Sequence, residues 1–122
     1  MRTDRSVAIE ELKADVRAYC EARDWDQFHD AKELAMSMVI ESSELLELFR
    51  FKRADDMRRM FERPETREKI DGELADVLFA LLRFAQLYGI DVTGAFDRKM
   101  VENERKYPVE KARGSNKKYD EL

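Results

Sequence analysis

A chain of 122 residues has room for one domain, spanning 1–122, and its 43% hydrophobic residues are enough to give that domain a core. Charged residues make up 41%, with four Gly and two Pro, a composition that favours long helices over a sheet of short strands. A net charge of -4 with no basic stripe argues against duplex nucleic acid as a partner. The single cysteine, Cys20, excludes an intrachain disulfide and fits a reducing compartment, and the longest uncharged apolar run, Val77 to Leu82, falls far short of a membrane span. With no signal-like apolar core in MRTDRSVAIEELK, the expectation is a soluble, cytoplasmic protein with no membrane partner.

The first predicted helix runs from Ser6, as N-cap, to Glu21, with Val7, Ile9, Leu12, Val16, Tyr19 and Cys20 along one stripe. Arg23 to Asp30, RDWDQFHD, breaks that period and holds the only Trp and the only His of the chain. It reads as an aromatic loop, either a lid on the core or a stacking surface for a ring-shaped ligand. Asp30 with Glu33 forms a capping box that opens a second helix to about Lys52. The charge-dense segment 53–65 carries Met57, Met60 and Phe61 at helical spacing, a short helix closed by Pro64. Glu65 or Thr66 opens the next helix, which Gly89 ends. Asp91 caps another long helix through about Lys106, ended by Tyr107-Pro108, and the polar tail 107–122 is a clasp or disordered. The expected fold is all-α, an antiparallel four-helix-type bundle. Residues 77–82 are apolar on every side, which one small monomer covers poorly, so the bundle is expected to assemble as a homodimer or homotetramer.

Four acids stand out against this pattern. Glu41 falls on the helix-core row Leu34, Met38, Glu41, Leu45, Leu48, and Glu44 follows at i+3, about 4.5 Å further along the axis on nearly the same face. Glu73 and Asp76 repeat that spacing as they enter the second apolar stretch. If these two helices pack antiparallel, the four carboxylates meet across one seam. Two carboxylates about 5 Å apart repel by roughly 3 kcal/mol at an effective dielectric near 20, so several such pairs rival the stability of a whole domain. Salt bridges from Arg83, Lys69 or Lys99, protonation, or a metal would each relieve them. All-oxygen ligation suits Mg²⁺, with Mn²⁺ or Ca²⁺ also possible. No His follows either acid pair at i+3, which argues against a di-iron bundle, and the absence of a Cys pair argues against zinc.

Glu41-x-x-Glu44 followed by Glu73-x-x-Asp76, set among RDWDQFH, SELLELFRF, GELADVLFALL and KMVENERKYPVEKARGSNKKY, resembles the MazG-like all-α nucleoside triphosphate pyrophosphohydrolases, and most of all their small single-domain, dCTP-hydrolysing branch. The resemblance covers most of the chain from Arg23 onward. It implies a homo-oligomer that splits a (d)NTP into the monophosphate and pyrophosphate using Mg²⁺. Glu41, Glu44, Glu73 and Asp76 would then be the metal ligands, and Glu47 a further acid to orient a water. Trp25 and Phe51 would pack against the base, Lys99 would meet the phosphates, and Asn103 would lie near the base or sugar.

The metal end of the pattern is intact and the base end is altered. Phe51 stands where the dCTP-hydrolysing relatives have Trp, Val16 where one offers His, and Ala80 where one offers Tyr. The reaction class therefore carries over better than the substrate. Four carboxylates and a triphosphate together bring about -8, which implies more than one Mg²⁺ in the working complex. No Ser, Cys or His nucleophile and no Walker-type loop is suggested, so the expected reaction is direct attack by water. A metal-stabilised helical interaction module, or a catalytically weak nucleotide binder, would share the acids.

Overall fold

The computed structural model describes residues 1–122 and is helical without strands. It forms two compact units, Met1–Gly89 and Ile90–Leu122. The first contains α1 (Ile9–Ala22), a 3-10 turn (Asp26–Phe28), α2 (Ala31–Phe49), α3 (Ala54–Glu62) and α4 (Pro64–Leu87). The second contains α5 (Val92–Lys106), α6 (Val109–Ala112) and a 3-10 turn (Tyr119–Glu121).

Helix ends depart from the sequence expectation where a local hydrogen bond outweighs propensity. Ser6 is not the cap of α1: its hydroxyl closes a turn with Thr3, and Ala8 takes the N-cap position while the Glu11 carboxylate accepts its backbone N–H at 2.9 Å. Asp30 caps α2 as expected, its Oδ1 accepting from the Glu33 N–H at 2.8 Å. That helix stops at Phe49, before Lys52: Arg50 leaves the helical region with ψ 133°, and Phe51 follows with a positive φ of 62°. Pro64 opens α4 instead of merely closing α3, since at the first helical position its missing N–H costs nothing. Thr66 ties the corner together, its hydroxyl donating to the carbonyl of Met60.

In Met1–Gly89, α4 is the central helix, packed most extensively on α2, then on α1 and α3. Val16, Cys20 and Leu82 form a core with Leu12 and Phe79 against it. The apolar turn 77–82 divides: Ala80 and Leu82 are buried, whereas Leu78 and Leu81 are exposed. Val39, Leu46 and Leu74 also face outward. In Ile90–Leu122 the tail folds back as a clasp. The Tyr107 hydroxyl accepts the Tyr119 N–H at 3.3 Å, their rings meet edge-on, and the Lys106 ammonium lies over the Tyr119 ring.

Candidate active site

Helical periodicity turns each acid pair onto one side of its helix, and the packing of α2 against α4 brings the two pairs together. One carboxylate oxygen from each of Glu41, Glu44, Glu73 and Asp76 lies within 4.8 Å of all the others. Glu41 and Glu73 are half-buried, and Glu44 and Asp76 exposed. Glu41 Oε2 and Glu73 Oε2 are buried with no hydrogen-bond partner. None of the ion pairs within Met1–Gly89 involves the cluster. Of the cations that sequence alone offered, Arg83 is committed to Asp26 and Lys99 to Glu102.

The electrostatic result is a pair of reluctant carboxylates. Burial pushes the Glu41 carboxyl above its ordinary range; the neighbouring Glu44 raises it further, followed by the charges of Asp76 and Glu73. Glu73 moves the same way, first from burial and then from Glu44 and Asp76. A carboxylate only accepts, so an orphaned, buried oxygen among three like charges lacks either a proton or a cation. The donor set fits a hard divalent ion: all oxygen, no imidazole, no thiolate.

The cluster opens onto a groove of about 620 Å³ within Met1–Gly89. Glu41 and Asp76 form one end, and Val16, Tyr19, Trp25 and Phe79 supply apolar and aromatic wall. Trp25 reaches this wall because the chain reverses sharply after α1. Asp24 adopts φ 54°, a conformation Asp tolerates, and the Trp25 N–H returns to the Cys20 carbonyl at 3.0 Å. Its indole then meets the Tyr19 ring edge-on at 5.6 Å, and Tyr19 meets Phe79 at 5.7 Å. The aromatic loop thus lies along a groove and leaves Phe28 facing solvent.

Of the other residues singled out from sequence, Glu47 and Phe51 belong to neither the acid cluster nor the groove wall. Glu47 lies one turn beyond Glu44, with its carboxylate 3.5 Å from Arg50. Phe51, 90% exposed, follows the end of α2 with the Arg50 guanidinium over its ring. Lys99 and Asn103 lie one turn apart on α5, in the second unit, and Lys99 donates to Glu102 at 3.1 Å. Sequence reasoning passed over Tyr19 and Phe79 as groove residues. Their signal was positional: Tyr19 is at i+3 from Val16, and Phe79 at i+3 from Asp76.

The MazG-like family model matches residues 36–122. Human dCTP pyrophosphatase 1 is 35% identical over 114 residues, spanning 93% of this chain and 67% of that protein. The bovine dCTP pyrophosphatase 1 is 34% identical over the same length, 93% of this chain and 68% of its own. Among solved structures, a pyrophosphatase from Archaeoglobus fulgidus superimposes with a TM-score of 0.76 at 40% identity, covering 82% of this chain and 92% of its own.

Proposed function

The chain belongs to the MazG-like family, and from that premise we propose that it is a Mg²⁺-dependent nucleoside triphosphate pyrophosphohydrolase that cleaves dCTP, or another pyrimidine or modified dNTP, into the monophosphate and pyrophosphate. The observation that carries this reading is the four-acid cluster, with its two orphaned buried oxygens, at the mouth of an aromatic groove. One end suits a metal-bound, highly charged group and the other a flat ring, as a nucleotide requires.

Glu41, Glu44, Glu73 and Asp76 would hold the metal, with Mn²⁺ as a possible substitute. A divalent ion held there supplies charge neutralisation for the triphosphate and lowers the pKa of a water. The chain's own side chains do the rest. Trp25, Tyr19 and Phe79 offer faces on which a base stacks, fixing the nucleotide so that its α-phosphorus lies toward the acids. Water attacks that phosphorus, the bond to the bridging oxygen breaks, and pyrophosphate leaves with the bonding pair. Glu47 is a second-tier candidate for orienting the water, on the resemblance alone. The roles of Phe51 at the base, Lys99 at the phosphates and Asn103 at the base edge belong to this proposal on the resemblance alone. Self-association belongs to it as well, supported by the outward-facing Val39, Leu46, Leu74 and Leu78.

Stacking is worth roughly 1–3 kcal/mol per base and chooses poorly among bases, whereas polar groups at the base edge reject analogues sharply. With Val16 and Phe79 on the groove wall, the expected selectivity is broad across pyrimidine dNTPs. The test is incubation with a panel of canonical and modified dNTPs, with Mg²⁺ or EDTA, and assay of monophosphate and pyrophosphate. Release of inorganic phosphate alone, or no product from any nucleotide, sinks the proposal. Asn103→Ala should compress the differences between bases, and Lys99→Ala should slow all substrates alike. A preference for one nucleotide above about a thousandfold, roughly 4 kcal/mol, would mean that a further group reads the base.

A further inference from the structure

Arg83 is 1% exposed, the most deeply buried charged side chain of the chain, and the chemistry proposed above does not use it. A guanidinium at that depth persists only if its donors are met. Nη1 donates to Gln86 Oε1 at 2.5 Å, one turn along α4. The other two partners come from the loop between α1 and α2: Nε donates to His29 Nδ1 at 2.9 Å, and Nη2 donates to Asp26 Oδ1.

Those two partners flank Trp25 in a specific way. Asp26 follows it directly in the chain, and the His29 ring meets its indole edge-on at 6.2 Å. On its other side Trp25 meets Tyr19, Tyr19 meets Phe79, and Phe79 precedes Arg83 by one turn on α4. The contacts close a ring: Arg83, His29, Trp25, Tyr19, Phe79 and back along α4. An apolar side chain of similar length would fill the same volume, and the Asp26 carboxylate left behind is half-exposed, so water can take up its charge. What only the planar, three-directional guanidinium supplies is a fixed orientation for Asp26 and His29 together.

We propose that Arg83 is a positioning residue for nucleotide capture: by holding Asp26 and His29 it sets the Trp25 indole at the angle on which the base stacks. The proposal rests on the reading of the groove as the base site. Arg83 touches neither the acids nor the reacting phosphorus, so its loss weakens capture and leaves the chemical step to the metal end.

Trp25 is the only tryptophan, so its fluorescence reports on this position without labelling. The experiment compares the full-length wild-type protein with Arg83→Met, Arg83→Lys and Asp26→Asn. For each, it measures acrylamide quenching without nucleotide, kcat and KM for dCTP with Mg²⁺, and the Mg²⁺-induced shift in melting temperature. Arg83→Met should raise KM about tenfold or more, keep kcat within about threefold, and leave the indole more open to quencher. Arg83→Lys should fall between, because an ammonium can pair with Asp26 but cannot also address His29 in the same plane. The Mg²⁺ shift should be unchanged in all three. Unchanged KM and quenching in Arg83→Met overturn the proposal, as does a fall in kcat with KM intact. If Arg83→Met does not fold, unchanged KM in both other variants overturns it equally. If the wild-type protein hydrolyses no nucleotide, the reading of the groove fails on its own, and quenching of Trp25 in Arg83→Met still decides whether Arg83 holds the indole.

Discussion

The Glu41–Glu44–Glu73–Asp76 cluster and the Arg83–Asp26–His29–Gln86 network share α4, Asp76 and Arg83 being about two turns apart. Both take charge away from water, by opposite means. Around Arg83 each guanidinium nitrogen donates to an acceptor, and the one formal positive charge faces the one formal negative charge of Asp26. In the other cluster four acids meet, none of them in an ion pair within Met1–Gly89, and two buried oxygens have no hydrogen-bond partner. The first network is complete within the chain and so has a positioning role. The second lacks its counter-charge, and that deficit is what marks it as the place where something else binds. The comparison separates buried charge that organises the fold from buried charge that awaits a ligand.

The sharpest way to break the comparison is to remove one acid. Glu44 acts on both Glu41 and Glu73, so Glu44→Gln should reduce kcat by about a thousandfold or more, roughly 4 kcal/mol of barrier. In EDTA the same variant should melt no lower than the wild type, because it removes a repulsion. Retained activity, or a large destabilisation in EDTA, would place Glu44 with the self-contained networks. Next in size is the response to metal. At a hundredfold excess over its Kd, Mg²⁺ should stabilise the protein by about 2.7 kcal/mol, on the order of 10 °C in melting temperature for a domain of this length. A melting temperature indifferent to millimolar Mg²⁺ and to EDTA would mean that the cluster meets its own charge by protonation.

A third change acts on the far end of the groove. Trp25→Ala should cost roughly 1–3 kcal/mol of stacking, seen as a higher KM of similar size for each pyrimidine dNTP, with the Mg²⁺ shift intact. A loss confined to one nucleotide would make Trp25 a selecting group and no longer a platform.

The two clusters also differ in how far they can be read without coordinates. Glu41-x-x-Glu44 and Glu73-x-x-Asp76 are visible because i, i+3 spacing within a helix is local, and because acids interrupting an apolar row are conspicuous. Their meeting requires only that the two longest helices pack together, as they do. The all-α fold and most helix interiors are legible for the same reason. Arg83 was visible as a lone cation after the apolar run 77–82, but its partners were not, since Asp26 and His29 lie 57 and 54 residues earlier. Which cation such an Arg serves, an acid cluster or a loop, is decided by tertiary geometry. Helix ends that differ from the sequence expectation have a similar cause. Ser6 is an ordinary N-cap residue by type, yet its hydroxyl is spent on Thr3, and Pro64 suits the start of a helix as well as a break before one.

The smallest expected effect, and the one that sets the two clusters most directly against each other, is the pH dependence of stability. Glu41 and Glu73 are held above the ordinary 4.5 by burial and by their fellow acids, so the native state keeps protons that the unfolded chain has released. Their contribution is fully present below that value and is lost as pH rises through the raised folded values. His29 is held below the ordinary 6.5 by burial and by the charge of Arg83, with Asp26 opposing, and only neutral Nδ1 can accept from Arg83. Its contribution is present above 6.5 and is lost as pH falls through the lowered folded value. Melting curves in EDTA from about pH 4 to 8 should therefore carry two opposed slopes. Saturating Mg²⁺ should reverse the acid slope, because ligand carboxylates must be deprotonated to bind, and leave the histidine slope in place. His29→Asn keeps an acceptor in Oδ1 but does not titrate, so it should flatten the loss between pH 6.5 and the lower value while sparing the acid slope. If that loss persists in His29→Asn, the network around Arg83 does not sense protons through this imidazole, and its contrast with the acid cluster reduces to charge balance alone.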